Sequence, residues 1–122
     1  MAKKLAGIIA PITTPFVNED VSLEHLKSNM RKYRDTGLAG FFALGSNGES
    51  KSLAEDEKLK IVEVVLQEKA DRLLVMAGTG YESTRQTVAF SQGYRKNFPS
   101  SECGWYERYI RREHEQLSQC VR

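Results

Sequence analysis

The chain has no apolar run near the roughly 20 residues that a membrane-spanning helix requires, and its 122 residues hold only two cysteines, Cys103 and Cys120. Two thiols make no disulfide framework, so the expected compartment is the cytoplasm. The apolar stretch Leu5 to Ile12 behind Lys3-Lys4 is too short for a signal peptide, carries Pro11 near its end, and is followed by no small-residue cleavage site. Histidine is scarce as well: His25 lies within a helical pattern, and His114 with the two cysteines lacks zinc spacing and a fourth ligand. No metal or cofactor is expected. Blocks of one charge are missing too, because 18 Lys+Arg are interspersed with 16 Asp+Glu. Tyr106, Tyr109, Arg111 and Arg112 are offset by Glu107, Glu113 and Glu115, which argues against a nucleic-acid partner. What remains, at 40% apolar and 28% charged residues, is an ordinary globular composition.

The most informative segment is Gly45-Ser46-Asn47-Gly48-Glu49, directly after the apolar run Gly40-Phe41-Phe42-Ala43-Leu44. A buried strand ending in a glycine-flanked polar turn before a helix is how α/β proteins build anion-binding loops at strand carboxyl ends. The pattern recurs along the chain. Ile8 to Ile12 reads as a strand closed by Thr13-Thr14-Pro15. Ser22 is a candidate N-cap for a helix with Leu23, Leu26, Met30 and Tyr33 on one face, and Gly37 stands where a left-handed cap would end it. After the second strand, Ser52-Leu53-Ala54-Glu55 has capping-box spacing. The helix it predicts runs to about Lys69, with Leu59, Val62, Val65 and Leu66 facing the core. Leu73 to Ala77 is a third strand, stopped by Gly78-Thr79-Gly80, and Ser83 with Gln86 opens a third helix.

Three strand–helix units imply an α/β fold with a parallel sheet covered by helices. The doubly wound sheet and the (β/α)8 barrel both fit, but the loop after the first strand lacks the dinucleotide fingerprint. On the residues alone, Ser46, Asn47 and Gly48 with their backbone N–H groups suit a carboxylate; the alternative is a turn needed only for tight geometry. Thr13, Thr14, Glu49, Gly78 and Gly80 are read as supporting positions: strand closure for the threonines, a backbone or subunit partner for Glu49, and close backbone approach for the glycines.

Gly7-Ile8-Ile9-Ala10-Pro11-Ile12-Thr13-Thr14-Pro15-Phe16, Gly45-Ser46-Asn47-Gly48-Glu49-Ser50 and Ala77-Gly78-Thr79-Gly80 stand in order at the three strand ends. In this the chain resembles the pyruvate-dependent class I aldolases of the dihydrodipicolinate synthase / N-acetylneuraminate lyase family, over roughly residues 5–92. The resemblance implies the first three or so units of a (β/α)8 TIM barrel, usually a homo-oligomer, that binds pyruvate or another 2-oxo acid as a Schiff base on a lysine. It implies that Ser46 and Asn47 hold the substrate carboxylate and help relay protons. The commoner pair in the family is two threonines, and asparagine at the second place is similar to members acting on 4-hydroxy-2-oxoglutarate or deoxy-sugar acids. Lysine feedback is not implied, because Glu82 and Gln86 stand where lysine-inhibited members carry asparagine and glutamate.

The resemblance stops near Gln92. Residues 1–92 are expected to form a partial barrel domain and 93–122 a divergent, out-of-frame tail. Read one nucleotide later, the codons permitted for Cys103 to Ile110 include Ala-Asp-Gly-Met-Ser-Val-Ile, a plausible fourth strand, and the single tryptophan codon forces the glycine. The alternative is a genuine ending with a charged helix over Glu107 to Leu117. None of the nine lysines matches the family's Schiff-base lysine at the end of the sixth strand, nor are the catalytic tyrosine and the arginine after it present. The chain is therefore expected to be truncated before the catalytic residues, inactive as an aldolase alone, and prone to self-association through exposed strand edges. The alternative function is a non-catalytic fragment or small interaction module that binds carboxylates weakly or associates with other subunits.

Overall fold

Helix α1, Leu23–Arg34, begins where the sequence pattern places it. Ser22 Oγ accepts from the His25 backbone N–H at 3.4 Å, and Leu26 and Met30 point into the core, 1% and 0% exposed. The computed structural model describes residues 6–98. Its elements are β1 (Ile9–Pro11), a hairpin of β2 (Phe16–Val17) and β3 (Asp20–Val21), α1, β4 (Gly40–Ala43), α2 (Glu55–Glu68), β5 (Leu74–Ala77) and α3 (Thr84–Asn97). Strands β1, β4 and β5 form one parallel sheet in that order, with Ala10, Phe41 and Val75 in register.

Alternation along these strands sorts their side chains between two faces. Phe41, Ala43 and Val75 pack with Ile61, Val62 and Val65 of α2, with Leu26 and Met30 of α1, and with Phe90 and Tyr94 of α3 in one core. Ile9, Phe42 and Met76 alternate to the opposite face, where they remain half-buried. No described helix covers that face. Gly40 of β4 leaves no room for a side chain: a Cβ there would run into the Leu74 carbonyl of β5.

Two local readings need correction, and a third element has no counterpart in the sequence reading. Gly37 does not take a left-handed conformation. Thr36 donates to Tyr33 O through its N–H at 3.1 Å and its Oγ1 at 2.6 Å, and Arg72 donates to the last helical carbonyl, Arg34 O, at 2.7 Å and to the following loop carbonyls Thr36 O and Leu38 O, both at 3.0 Å. Side-chain donors, one of them distant in sequence, close the helix end in place of a glycine cap. Secondly, Ser52 is not an N-cap. It closes a 3-10 turn, and α2 starts after Ala54, whose N–H donates to Glu57 Oε2 at 2.8 Å. Alanine has no side-chain acceptor, so only the glutamate half of a capping box forms. Thirdly, the β2–β3 hairpin turns through Asn18 and Glu19, both with positive φ (49° and 69°), a primed turn without the usual glycine. The Ser83–Gln86 capping at α3 is as expected, with Gln86 N–H on Ser83 Oγ at 3.2 Å.

Helices α1 and α2 are also joined at the surface. Arg31 donates to Glu68 through Nε at 3.0 Å and Nη2 at 3.2 Å. The Arg31 hydrogen bond holds the Glu68 carboxyl below the usual carboxylate range. A lowered folded-state pKa means stability that is present above the unfolded value, about 4.3, and lost as pH falls through the folded one. Glu68→Gln is therefore expected to lower the melting temperature slightly at neutral pH and to flatten its decline between about pH 5 and pH 3. Melting temperature against pH for both proteins checks this.

Candidate functional site

The three parallel strands end on the same side of the sheet, so the segments after Pro11, Ala43 and Ala77 gather there. Backbone bonds continue the ladder into these segments: Ile12 N–H to Phe42 O at 3.0 Å and Gly78 N–H to Ala43 O at 2.9 Å. Immediately after β4, Leu44 adopts a left-handed conformation (φ 58°) while buried in the core at 3% exposure. That conformation costs a non-glycine residue roughly 1–2 kcal/mol. The neighbouring segment permits it, because Gly78 lies so close that a Cβ there would sit 2.3 Å from the Leu44 carbonyl oxygen.

The kink at Leu44 sends the chain into the 3-10 turn Ser46–Gly48, closed by Gly48 N–H to Gly45 O and Glu49 N–H to Ser46 O, both 3.1 Å. Glu49 is again left-handed (φ 54°), and a second 3-10 turn, Ser50–Ser52, leads through buried Leu53 into α2. The turn's internal bonds use the N–H groups of Gly48 and Glu49 and leave those of Ser46 and Asn47 outside them. Ser46 and Asn47 are exposed, Gly48 is buried, and Glu49 is exposed.

Of the predicted supporting positions, Thr14 is 6% exposed and donates through Oγ1 to the Gly48 carbonyl at 2.7 Å. Thr13 faces outward. Gly78 makes the close approach to Leu44, whereas Gly80 has no heavy atom within 4 Å of where a Cβ would stand. The structure thus brings Thr14, Gly48, Leu44 and Gly78 together around the Ser46–Asn47 turn, and leaves Thr13 and Gly80 at the periphery.

A buried charged group is absent from the sequence reading. Lys58 is only 6% exposed. Its Nζ donates to Tyr81 Oη at 3.0 Å and lies 4.3 Å from the Tyr81 ring centroid, a cation–π contact that offsets part of its desolvation. The signal was present in the helical spacing: Lys58 shares a face with Ile61, Val62 and Val65. Nearby, exposed Lys51 and Glu82 pair at 2.8 Å, linking the segments after β4 and β5; Lys51 holds the Glu82 carboxyl below its ordinary range. Among the described residues no three His, Cys, Asp or Glu side chains group as metal ligands. Cys103, His114, Cys120 and the tyrosine–arginine cluster after Tyr106 lie outside the described residues. No described helix is long and apolar enough to cross a membrane.

The profile of the dihydrodipicolinate synthetase family matches residues 4–97, the whole of the sheet, its helices and this turn. The chain belongs to the dihydrodipicolinate synthetase family. A curated relative, the 4-hydroxy-tetrahydrodipicolinate synthase of Methanococcus aeolicus, is 36% identical over 88 residues, covering 72% of this chain and 31% of the relative. The N-acetylneuraminate lyase of Proteus mirabilis superposes with a TM-score of 0.67 at 26% identity, over 74% of this chain and 31% of that one. The chloride-inhibited dihydrodipicolinate synthase of Acinetobacter baumannii, complexed with pyruvate, superposes with a TM-score of 0.72 at 23% identity, over 76% of this chain and 32% of that one.

The sheet and helices are thus α/β units of the kind that build the TIM barrels of this family. The chain spans under a third of the length of the relatives it matches. The family helix also meets the structure at its far end: α3 and the profile match both reach Asn97, while residues 99–122, most of the expected tail, lie outside the described residues.

Proposed function

We propose that the Ser46–Asn47 turn holds the carboxylate of pyruvate or another 2-oxo acid, in a lyase of the pyruvate-dependent aldolase type. The observation that supports this most is the state of the turn's donors: the N–H groups of Ser46 and Asn47 stand outside its internal hydrogen bonds, beside an exposed hydroxyl and an exposed carboxamide. Donors held in place by a rigid scaffold stabilise an anion without reorganising, and the carboxylate is the anionic group common to all 2-oxo acids. Asn47 offers a longer, two-centred donor than the usual threonine.

Schiff-base chemistry needs an amine placed against the bound carbonyl. Among the described residues Lys58 is the one buried lysine, and it is hydrogen-bonded to Tyr81; exposed Lys51 pairs with Glu82. On this reading the turn binds the 2-oxo acid, and neither Lys51 nor Lys58 is the amine that attacks its carbonyl.

Pyruvate titrated into the isotope-labelled chain, followed by borohydride and mass measurement, tests both parts. The expected result is a saturable displacement of the residue 46 and 47 amide resonances at millimolar pyruvate, weakened in Ser46→Ala with Asn47→Ala, which keeps the backbone donors and removes the hydroxyl and carboxamide, and no reduced adduct. Unmoved amides would end the carboxylate reading. A borohydride-trapped lysine would show that the chain makes the Schiff base by itself.

A further inference from the structure

We propose that Thr14, on a different loop, is the positioning residue of this site: by donating to the Gly48 carbonyl, its hydroxyl sets the orientation in which the Ser46 and Asn47 donors are presented. The proposal rests on the carboxylate reading and adds to it the residue outside the turn that governs its shape.

The turn is not a shape that its own residues favour. It is bracketed by two left-handed non-glycine residues, Leu44 and Glu49, and such conformations persist only where the surroundings over-determine them. Two outside contacts do so. Gly78 packs against the Leu44 carbonyl at the entry. At the exit stands the 2.7 Å bond from Thr14, buried and 34 residues distant in sequence.

The bond is well placed to transmit rigidity. The internal bonds of the turn are accepted by Gly45 O and Ser46 O, which leaves the Gly48 carbonyl to Thr14. On its own side, Thr14 is pinned in both directions along the chain: Ile12 N–H donates to Phe42 O at 3.0 Å, and Pro15 O accepts from Ser22 N–H at 2.8 Å. A Cβ on Gly48 would lie 3.3 Å from Ile12 O and 3.5 Å from Thr14 Oγ1. The two loops are therefore in near contact, and the hydroxyl fixes the angle of the Gly48 peptide between them. Serine keeps this donor. Valine, of nearly the same shape, removes it and leaves a buried carbonyl unpaired.

The test uses the full chain as wild type, Thr14→Val, Thr14→Ser and, as a control for plain destabilisation, Leu26→Ala in the distant core of α1. Without ligand, Thr14→Val is expected to displace the amide resonances of Asn47, Gly48 and Glu49 and to weaken pyruvate binding about tenfold. Thr14→Ser should leave both close to wild type, and Leu26→Ala should lower the melting temperature while leaving the turn resonances in place. Turn amides unchanged in Thr14→Val, or displaced as much in Thr14→Ser, overturn the proposal. Should Thr14→Val fail to fold, the wild-type Thr14 hydroxyl proton decides: slow exchange with water supports the bond, and exchange at the rate of an exposed hydroxyl overturns it. If wild type binds no pyruvate, the carboxylate reading falls, and the ligand-free amide shifts still decide the positioning role.

Discussion

Gly78→Ala is expected to lower the melting temperature sharply and, in the same step, to abolish the pyruvate-induced shifts at Ser46 and Asn47. The new Cβ would sit 2.3 Å from Leu44 O and 3.0 Å from Leu44 C. Both are backbone atoms, so no side chain can swing aside to make room. Leu44 is already left-handed and has little freedom to retreat, and Gly78 is itself tied to Ala43 O at 2.9 Å. Overpacking of this kind typically costs about 1–3 kcal/mol, occasionally more. A domain of this size holds only some 5–15 kcal/mol in total. Gly80→Ala is the matched control. It has open space around the Cβ position and no positive φ, so it should be neutral or stabilise by a few tenths to about 1 kcal/mol through the unfolded state. Thermal melts of both variants, with pyruvate titrations of each, check the pair. Equal melts would remove the close approach from the account of the site.

The second large effect is expected at the centre of the core. Phe41 is 0% exposed, on the middle strand of the sheet, with its ring 6.1 Å from that of Tyr33 on α1. Phe41→Ala removes the largest fully buried side chain from the layer between β4 and the helices. Such truncations cost about 3–5 kcal/mol, because transfer and cavity terms add. That is a large share of the stability available, so a substantial unfolded population is expected near room temperature. Phe42→Ala is the contrast. Its ring lies on the sheet face that no described helix covers, and is only partly buried. It should cost well under half as much. Urea midpoints at constant slope measure both losses.

Much of this fold was legible in the chain because its signals are local and periodic. Each parallel strand is a short continuous apolar run, and α1 declares itself through Ser22, Leu26 and Met30. The errors fall where a distant residue took over a local task. Gly37 stands in the right place to cap α1, yet Arg72 reaches the Arg34 carbonyl across 38 residues of sequence, and no local pattern foretells that. Ser52 had capping-box spacing, but Gly45 to Leu53 is occupied by two successive 3-10 turns that move the start of α2 to Glu55. The hairpin at Asn18-Glu19 escaped notice because glutamate at positive φ is not a usual turn residue.

The site divides in the same way. The Gly-Ser-Asn-Gly-Glu run marked the turn, since a polar glycine-flanked segment after a strand has few other uses. Its support was only half visible. Thr14 and Gly78 were singled out in the sequence, but what they touch was not: the partner of Thr14 lies 34 residues away, and Gly78 answers to a left-handed Leu44 that nothing local announces. Lys58 was passed over because its charge outweighed its spacing.

Strand order has a consequence for synthesis. The parallel sheet grows in chain order, β1 then β4 then β5, each partner being the next strand of that sheet to be made. β4 finds β1 already made, and β5 finds β4 already made, so the loops to be closed stay short and the entropic barrier to each addition stays modest. A nascent chain emerging from the ribosome could lay down these three strands one unit at a time, with the newest edge exposed only until the next strand arrives.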